Sequence, residues 1–361
     1  MWLHGILNGR KVRVLGIEST AHTLGIGIAQ NYPPYILSNE KSKYEPVLGG
    51  IHPREASRNH AEKIGEVLKS ALNKANLTIK DIDAIAVALG PGMGPCLRVG
   101  ATAARALASY YDKKLVPVNH SIAHIEIGNL LSGFEDPLII YVSGGNTSIV
   151  AYGQKRYRVF GETQDIALGN LRDVFAREAG IAPPYIVNGW HALDLCARRS
   201  QTKEILDLPY IVKGQDVSYA GLLTSALKKL REGYKLEDIC YSVVEISFSM
   251  ITEVAERGLA HTRKQEVLLT GGVSASQILD EKVKLMAESH GARYYNVPPA
   301  YAGDNGAMIA WTGVLAYLSG VSIDPREATI DQRWRIEEVE IPWRKRRRRT
   351  TRTKRRTTRT G

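Results

Sequence analysis

The sequence predicts an α/β protein of two similar lobes facing one another across a cleft, and three observations lead there. A strand, a small polar turn and a second strand occupy residues 12–29, the turn being Ser19-Thr20-Ala21-His22-Thr23. The same order returns at residues 138–152, where the turn is Ser143-Gly144-Gly145-Asn146-Thr147. A unit repeated about one lobe apart marks an internal duplication, and each turn offers hydroxyls and backbone N–H groups to a phosphate. Third, a buried strand at residues 266–270 ends at Gly271-Gly272-Val273 and enters a helix at Ser274. Such strand ends are where open α/β sheets bind nucleotides, so the cleft is expected to hold one.

In chain order, residues 1–11 show no periodicity and read as a short extension. Residues 12–136 are expected to form the first lobe and residues 137–343 the second, with its C-terminal helix able to pack back on the first. Within residues 53–75, Ala61, Ile64, Val67, Leu68, Ala71 and Leu72 form the apolar stripe of a helix. A buried strand at 82–89 is broken by Gly90-Pro91-Gly92-Met93-Gly94-Pro95, and a helix through 98–110 follows. That break is either a tight turn or a place where backbone closely approaches a ligand. A strand at 115–118 feeds the helix that begins near His120. In the second half, a strand at 157–163 leads into a helix at 166–179, where Asp173 is either a solvated acid or a ligand for something in the cleft. Residues 182–189 form a loop before a helix from His191; helices at 222–230 and 236–261 precede the strand at 266–270. Asp304-Asn305-Gly306 opens a last helix at 307–317, with Asp304 a candidate for its N-cap.

At 361 residues and 44% hydrophobic composition the chain can build one large two-lobed domain or two domains with real cores. No run of 18 apolar residues and no signal-peptide pattern occurs, which reads as a soluble intracellular protein with no membrane contact. Cys96, Cys196 and Cys240 are odd in number and far apart, fitting neither a disulfide framework nor a cysteine zinc site, so they read as small buried residues. The net charge of +11 is all at one end: residues 344–361 carry eleven Lys or Arg and no acid, leaving the body neutral. Such a segment has nothing to bury and is expected to be disordered. It is either a solubility tail or a sequence-blind handle for phosphates, and RNA contact is the favoured reading.

Candidate chemistry centres on Asn119-His120-Ser121-Ile122-Ala123-His124. Two histidines four apart share a helix face, so both imidazoles can turn to one ion, although a pair of core histidines has the same spacing. Tyr141 and Asp304 add oxygen donors, each beside backbone suited to phosphate. A zinc protease of the H-E-x-x-H type needs a glutamate after the first histidine, where this chain has Ser121.

Six motifs then occur in order: Gly16-Ile17-Glu18-Ser19-Thr20-Ala21-His22-Thr23, the His120/His124 pair, Tyr141-Val142-Ser143-Gly144-Gly145-Asn146-Thr147, Gly161-Glu162-Thr163, Gly271-Gly272-Val273 and Asp304-Asn305-Gly306-Ala307-Met308-Ile309. Together, over about residues 12–343, the chain resembles the universal family of tRNA threonylcarbamoyladenosine synthases. It is most similar to the archaeal and eukaryotic branch, the catalytic subunit of the KEOPS complex, in older usage O-sialoglycoprotein endopeptidase. The resemblance implies an actin/Hsp70/sugar-kinase-like (ASKHA) fold of two duplicated lobes around a nucleotide cleft. It implies transfer of a threonylcarbamoyl group from threonylcarbamoyl-AMP to the N6 amine of the adenosine 3′ of the anticodon in tRNA. It also implies cytoplasmic partners: a small protein kinase/ATPase, a small dimerising subunit and an accessory subunit.

By that resemblance His120, His124, Tyr141 and Asp304 ligate one divalent metal, with iron preferred and zinc or magnesium as alternatives. Val142, Ser143, Gly144 and Gly145 bind the phosphate, Tyr141 also belongs to the substrate and nucleotide site, and Asp173 contacts the ribose. The family's Gly-Gly-Pro loop corresponds to Pro184-Tyr185-Ile186-Val187-Asn188-Gly189, which places Gly189 at the nucleoside and Asp194 as the acid that follows. Ser276 stands where the family has an asparagine near the adenine. His22 is a candidate base for the proton leaving the adenine amine, the competing role being to shape its turn. Two other readings of the same fold are an ATP-hydrolysing kinase or chaperone, with Glu18 as a carboxylate base, and a nucleotide-gated RNA scaffold.

Overall fold

The computed structural model describes residues 10–46 and 50–344. The first sheet contains β1 (Arg13–Glu18), β2 (Thr23–Gln30), β3 (Ile36–Lys43), β4 (Ala84–Gly90) and β5 (Lys114–Asn119), in the order β3-β2-β1-β4-β5. The chain then forms β6 (Leu138–Val142), β7 (Thr147–Gly153) and β8 (Arg156–Glu162). Two short ladders follow, β9 (Ile186–Val187) with β10 (Trp190–His191) and β11 (Val212–Lys213) with β12 (Asp216–Val217). Strands β13 (Glu266–Thr270) and β14 (Arg293–Asn296) complete the second sheet in the order β14-β13-β6-β7-β8. The two sheets have one topology. In each, the leading strand begins a three-stranded antiparallel meander on one side and on the other pairs in parallel with the inner of two later parallel strands. The duplication read from the two turns therefore extends to five strands on each side. The expectations had no counterpart for β3 or β14, whose sequences ILSNEKSK and RYYN hold too few apolar residues to show a period.

Packing follows the strand pattern. Leu15, Ile17, Ile85 and Val87 point to one face of the first sheet and meet Val67, Ala71 and Ala104 from the helices Pro53–Ala75 and Gly94–Tyr110. Val14, Ala86 and Ala88 point to the other face and meet Met308, Ala310, Trp311 and Val314 of the helix Gly306–Leu318. The approach of that helix is backbone on backbone. A Cβ on Gly27 would stand 2.4 Å from the nitrogen of Ala307, and one on Gly16 would stand 2.1 Å from that of Ala310. Only glycine permits such contact. The helix His120–Ser132 lies between the sheets, buried along most of its length, with Ile122, Ile125 and Ile127 clustered with Val118, Ile139 and Leu268. A helix apolar on every side belongs in such a place. The outer face of the second sheet is covered by the helices Leu168–Glu178, Leu236–Thr262 and Gln277–Ser289.

Four expectations are corrected. In Pro53–Ala75 the inward face centres on Ala56, His60, Val67 and Ala71, with Ile64, Leu68 and Leu72 of the expected stripe packed partly buried beside them, while Ala61 is exposed. The helix after Gly271 begins at Gln277, following a 3-10 turn at Gly272–Ala275. Cys196 and Cys240 are not independent: the helix Ala192–Arg198 packs on Leu236–Thr262, the two Cα atoms are 5.8 Å apart, and the sulfurs are joined as a disulfide. A separation of 44 residues carries no sign of that helix contact. Cys96 remains a buried thiol. Finally, Arg344 belongs to the folded body rather than to a disordered tail. Its guanidinium lies over the rings of Tyr152 (4.8 Å) and Tyr157 (5.1 Å), where cation–π attraction offsets part of its desolvation. Residues 1–9 of the expected extension and 345–361 of the expected tail lie outside the described residues.

The disulfide closes a loop of 44 residues, for which the chain-entropy model gives a stabilisation of about 4 kcal/mol. Denatured, unreduced protein should present one thiol, that of Cys96, and three after reduction. A Cys196→Ala/Cys240→Ala variant should unfold at clearly lower denaturant concentration; an unchanged midpoint in the variant, together with three free thiols in the denatured, unreduced parent, would contradict the linkage.

Candidate active site

The carboxyl ends of the parallel strands supply the site. Strand β5 runs directly into the helix His120–Ser132, and Asn119 caps the junction: its Oδ1 accepts from the N–H groups of Ser121 (3.0 Å) and Ile122 (3.2 Å). With that cap in place, His120 and His124 emerge one turn apart with ring centroids 4.7 Å apart. Asp304 arrives from the other side. The N-cap of Gly306–Leu318 is Asn305, whose Oδ1 accepts from the N–H of Met308 (3.0 Å), so the carboxylate of Asp304 is free of the capping role. Its Oδ1 lies 3.3 Å from His124 Nε2 and 3.6 Å from His120 Nε2. One donor atom from each of the three residues falls within 4.8 Å of the others.

Glu18, at the end of β1, is fully buried and both its oxygens are engaged. Oε1 accepts from the N–H (2.6 Å) and hydroxyl (2.5 Å) of Thr20, and Oε2 lies 2.8 Å from His120 Nδ1. A carboxylate can only accept, so Nδ1 carries the proton and Nε2 faces Asp304. Burial opposes a charge on His120, but Glu18 and Asp304 outweigh it and hold its pKa up at about 9. His124 goes the other way, pushed down by burial, and its Nδ1 is buried without a hydrogen bond. Burial works against ionised Asp304 as well, yet the two imidazoles hold its carboxyl well below the usual range. Tyr141, on β6, lies beside His124 with ring centroids 5.2 Å apart, and burial and then Asp304 push its phenol up. Two imidazoles and a carboxylate converging in a buried place, with a phenol alongside and an orphaned ring nitrogen, form a donor set that fits a divalent ion of the iron or zinc type.

Strand β6 continues from Tyr141 and Val142 into the turn at residues 143–146. Ser143 closes it: its N–H donates to the Asn146 carbonyl (2.7 Å) and its hydroxyl accepts from the Asn146 N–H (3.0 Å). Gly144 and Gly145 are exposed at the tip, with open space where side chains would stand. No side chain stands between this tip and a ligand approaching the backbone.

The remaining expected residues fall into two groups. Asp173 is about half exposed and 3.0 Å from His191 Nε2. His191 Nδ1 accepts from the N–H of Leu193, so Nε2 is its protonated nitrogen and donates to Asp173; burial and the neighbouring Arg172 lower its pKa and keep the ring neutral. Asp194 is buried, paired with Arg172 Nη2 at 2.6 Å and accepting from the Ser276 hydroxyl at 2.7 Å. Asp194 and Ser276 are thus brought together, in contact with one another. Gly189 sits in the turn between β9 and β10 with φ of +80°, which favours glycine there. His22 lies within the fields of both Asp304 and Asp173, and burial lowers its pKa.

Thr20, His60, Arg172 and His191 take part without having been singled out. His60 is fully buried and its Nε2 lies 2.9 Å from the carbonyl oxygen of Ala21, where it donates and holds the turn that carries His22. Its spacing from Ala56, Val67 and Ala71 was a usable signal, since it continues the buried row of the helix. Arg172 and His191 had no local pattern to reveal them.

Comparison with known proteins completes the picture. The family model described as tRNA N6-adenosine threonylcarbamoyltransferase (TsaD) matches residues 35–311. The tRNA N6-adenosine threonylcarbamoyltransferase of Hyperthermus butylicus is 58% identical over 337 residues, 92% of each chain. That of Staphylothermus marinus is 56% identical over 338 residues, 91% of this chain and 99% of the relative. Among solved structures, T. kodakarensis HypF superposes with a TM-score of 0.62 at 17% identity, covering 86% of this chain and 48% of that one. The activator of 2-hydroxyisocaproyl-CoA dehydratase from Clostridium difficile superposes at 0.51 and 14% identity, covering 84% and 94%. These distant likenesses bear on the fold alone, which is of the actin/Hsp70/sugar-kinase type. By the family match and the identity of its relatives, the chain belongs to the TsaD family of tRNA N6-adenosine threonylcarbamoyltransferases.

Proposed function

We propose that this transferase takes the threonylcarbamoyl group from threonylcarbamoyl-AMP and places it on N6 of adenosine 37 in tRNAs reading codons that begin with adenine. The observation that carries the reading is the convergence of His120, His124 and Asp304 beside the open glycine turn at 143–146. His120, His124 and Asp304, with Tyr141 alongside, are the residues that would hold one divalent ion, iron in preference to zinc or magnesium. Bound there, such an ion supplies Lewis acidity toward a carbamoyl or phosphate oxygen. The cleft lies between a first lobe of residues 12–136 and a second of residues 137–343, whose helix Gly306–Leu318 packs on the first sheet. The setting is the cytoplasm, as the catalytic subunit of a KEOPS complex.

The chain's own residues divide the remaining tasks. Amides of Gly144 and Gly145 hold the phosphate without adding a competing nucleophile. Asp173, oriented by His191, receives the ribose hydroxyls, with Gly189 at the nucleoside. Asp194, bonded to Arg172 and Ser276, holds the wall of the nucleoside pocket. Glu18 acts as a positioning residue, since its oxygens are occupied by Thr20 and His120. In the transfer, the adenine nitrogen bonds to the carbamoyl carbon, the bond from that carbon to the phosphate oxygen breaks, and AMP departs. The proton lost by the amine passes to His22. Burial keeps that imidazole neutral near pH 7, the form that can accept a proton.

The reading is tested by assaying transfer from preformed adenylate to tRNA against phosphate release from ATP alone. Transfer is expected; ATP hydrolysis without transfer would favour a kinase or chaperone, and RNA binding with neither would favour a scaffold. His120→Ala and Asp304→Ala should each lose bound metal and most transfer while remaining folded, and full metal occupancy in either would overturn the ligand assignment. Glu18→Gln should weaken metal affinity by roughly 10–100-fold through loss of His120 orientation, read by competition with a chelator. For His22→Asn, single-turnover transfer should fall by roughly 10²–10⁴-fold. In the parent enzyme the rate should fall as pH drops through the lowered pKa of His22, and that limb should vanish in the variant. A small loss with the limb intact would leave His22 a turn-shaping residue.

A further inference from the structure

We infer that Thr20 and Asn119 are two further positioning residues of the transfer site, both held by residues 331–334 so that His120 points one way. The inference rests on the metal-ligand reading of His120 and deepens it. A hydrogen bond to one oxygen leaves an imidazole free to swing about that contact. The Nδ1–H of His120 instead has two oxygens before it, Glu18 Oε2 at 2.8 Å and Thr20 Oγ1 at 3.2 Å. The Thr20 hydroxyl gives its own proton to Glu18 Oε1 (2.5 Å), so it turns lone pairs to the ring. Acceptors from two residues therefore set the ring, and with it the direction of Nε2. Thr20 is buried, and the contact lies inside the protein rather than on its surface.

Thr20 is seated by the glycine–proline break at 90–95. The Met93 N–H donates to the Thr20 carbonyl (2.7 Å). A Cβ on Gly92 would stand 2.6 Å from that carbonyl oxygen and 2.7 Å from the Thr20 Cβ. The close backbone approach at this break is thus to Thr20, and glycine is what permits it. The loop is held from behind: the Gly92 N–H donates to the Gln332 carbonyl (3.3 Å) and the Gly94 N–H to Gln332 Oε1 (3.2 Å). Asn119, just before His120, has both ends of its amide engaged. Its Oδ1 caps the helix, and its Nδ2 donates to the Trp334 carbonyl (3.0 Å). The N–H of Asp331 donates to the Leu89 carbonyl (2.8 Å), which ties the same segment to the end of β4. Four consecutive residues thus bridge the ends of β4 and β5. Through Met93 and Thr20 they reach the His120 ring, and through Asn119 they reach its backbone.

The test uses the full chain and three readouts. These are metal affinity by competition with a chelator, kcat and KM for transfer to tRNA, and, in metal-free protein, the downfield proton resonance of His120 Nδ1–H, assigned by its absence in His120→Ala. Thr20→Val keeps the side-chain shape and removes the oxygen, whereas Thr20→Ser keeps the oxygen. Thr20→Val should bind metal about tenfold more weakly, lower kcat with little change in KM for tRNA, and shift or broaden the resonance. Thr20→Ser should restore all three toward the parent. Asn119→Ser keeps a capping oxygen but does not reach Trp334, and it should weaken metal binding with the helix intact. Gly92→Ala and Gly94→Ala form a matched pair in one loop. The first meets the Thr20 backbone and should weaken metal binding; the second meets only the movable end of the Gln332 side chain and should weaken it clearly less. Parent metal affinity in Thr20→Val or in Asn119→Ser overturns the inference, as does a Thr20→Ser variant no better than Thr20→Val. If His120→Ala keeps its metal while the resonance still responds to Thr20→Val and recovers in Thr20→Ser, the ligand assignment falls and the positioning of His120 stands.

Discussion

The close approach of the helix Gly306–Leu318 to the first sheet is the constraint from which the site geometry follows. A Cβ on Gly25 would stand 2.5 Å from the nitrogen of Gly306, and one on Gly306 would stand 2.2 Å from that of Gly27. The first turn of the helix is therefore locked against β2. Asp304 lies two residues before Gly306, so its carboxylate is located by the same contact. Strand β1, next to β2, ends at Glu18. Thus the acid that orients His120 and the acid that faces both imidazoles are held to one rigid frame, although 286 positions separate them in the chain. Adding a methyl group at Gly27 or Gly306 would act on the site by moving Asp304, with no change to any polar residue.

Inside that frame the electrostatics are finely opposed. Two imidazoles stand between two carboxylates: His120 lies 2.8 Å from buried Glu18 and 3.6 Å from half-buried Asp304, and His124 lies 3.3 Å from Asp304. Removing them from water disfavours every charge. Glu18 is satisfied by Thr20 and by His120, which turns the Nδ1–H of that imidazole to Glu18 and favours its charged form. His124 receives no such partner on Nδ1 and stays neutral. The asymmetry assigns different jobs to chemically identical side chains. It also explains how a helix so apolar can carry two histidines inward: the cost of burial is met from β1 on one side and from Asp304 on the other.

The region around Asp194 is organised differently, as a polar cluster with a staple behind it. Arg172, Asp194 and Ser276 come from three separate elements, and Asp194 binds both of the others, one through each oxygen. Asp194 sits on the short helix Ala192–Arg198, and two residues further on Cys196 ties that helix to Leu236–Thr262. A helix of seven residues has little stability of its own. Its disulfide, with the packing on the long helix, supplies the rigidity that fixes Asp194 in place. Asp173 remains partly open, its direction set by a neutral His191.

Much of this was legible in the chain itself. Repeated strand–turn–strand units announced the duplicated lobes, because a period of two and a polar tip survive without knowledge of packing. The four-residue spacing of His120 and His124 placed both on one face, because helix geometry is local. Other features were decided only in three dimensions. β3 and β14 became strands because neighbouring strands supplied their ladders, while their own residues carry almost no apolar pattern. His60 turned inward and Ala61 outward because the buried face of Pro53–Ala75 is chosen by the sheet beneath it. Cys196 met Cys240, and Asp194 met Arg172 and Ser276, through helix packing that local composition does not encode. Arg344 looked like the first residue of a basic tail, yet two tyrosine faces and Glu126 drew it into the core. Sequence alone determined which local elements form and which chemistry they carry. Tertiary structure decided which of those groups meet, since contacts between distant elements depend on the shapes of both surfaces at once.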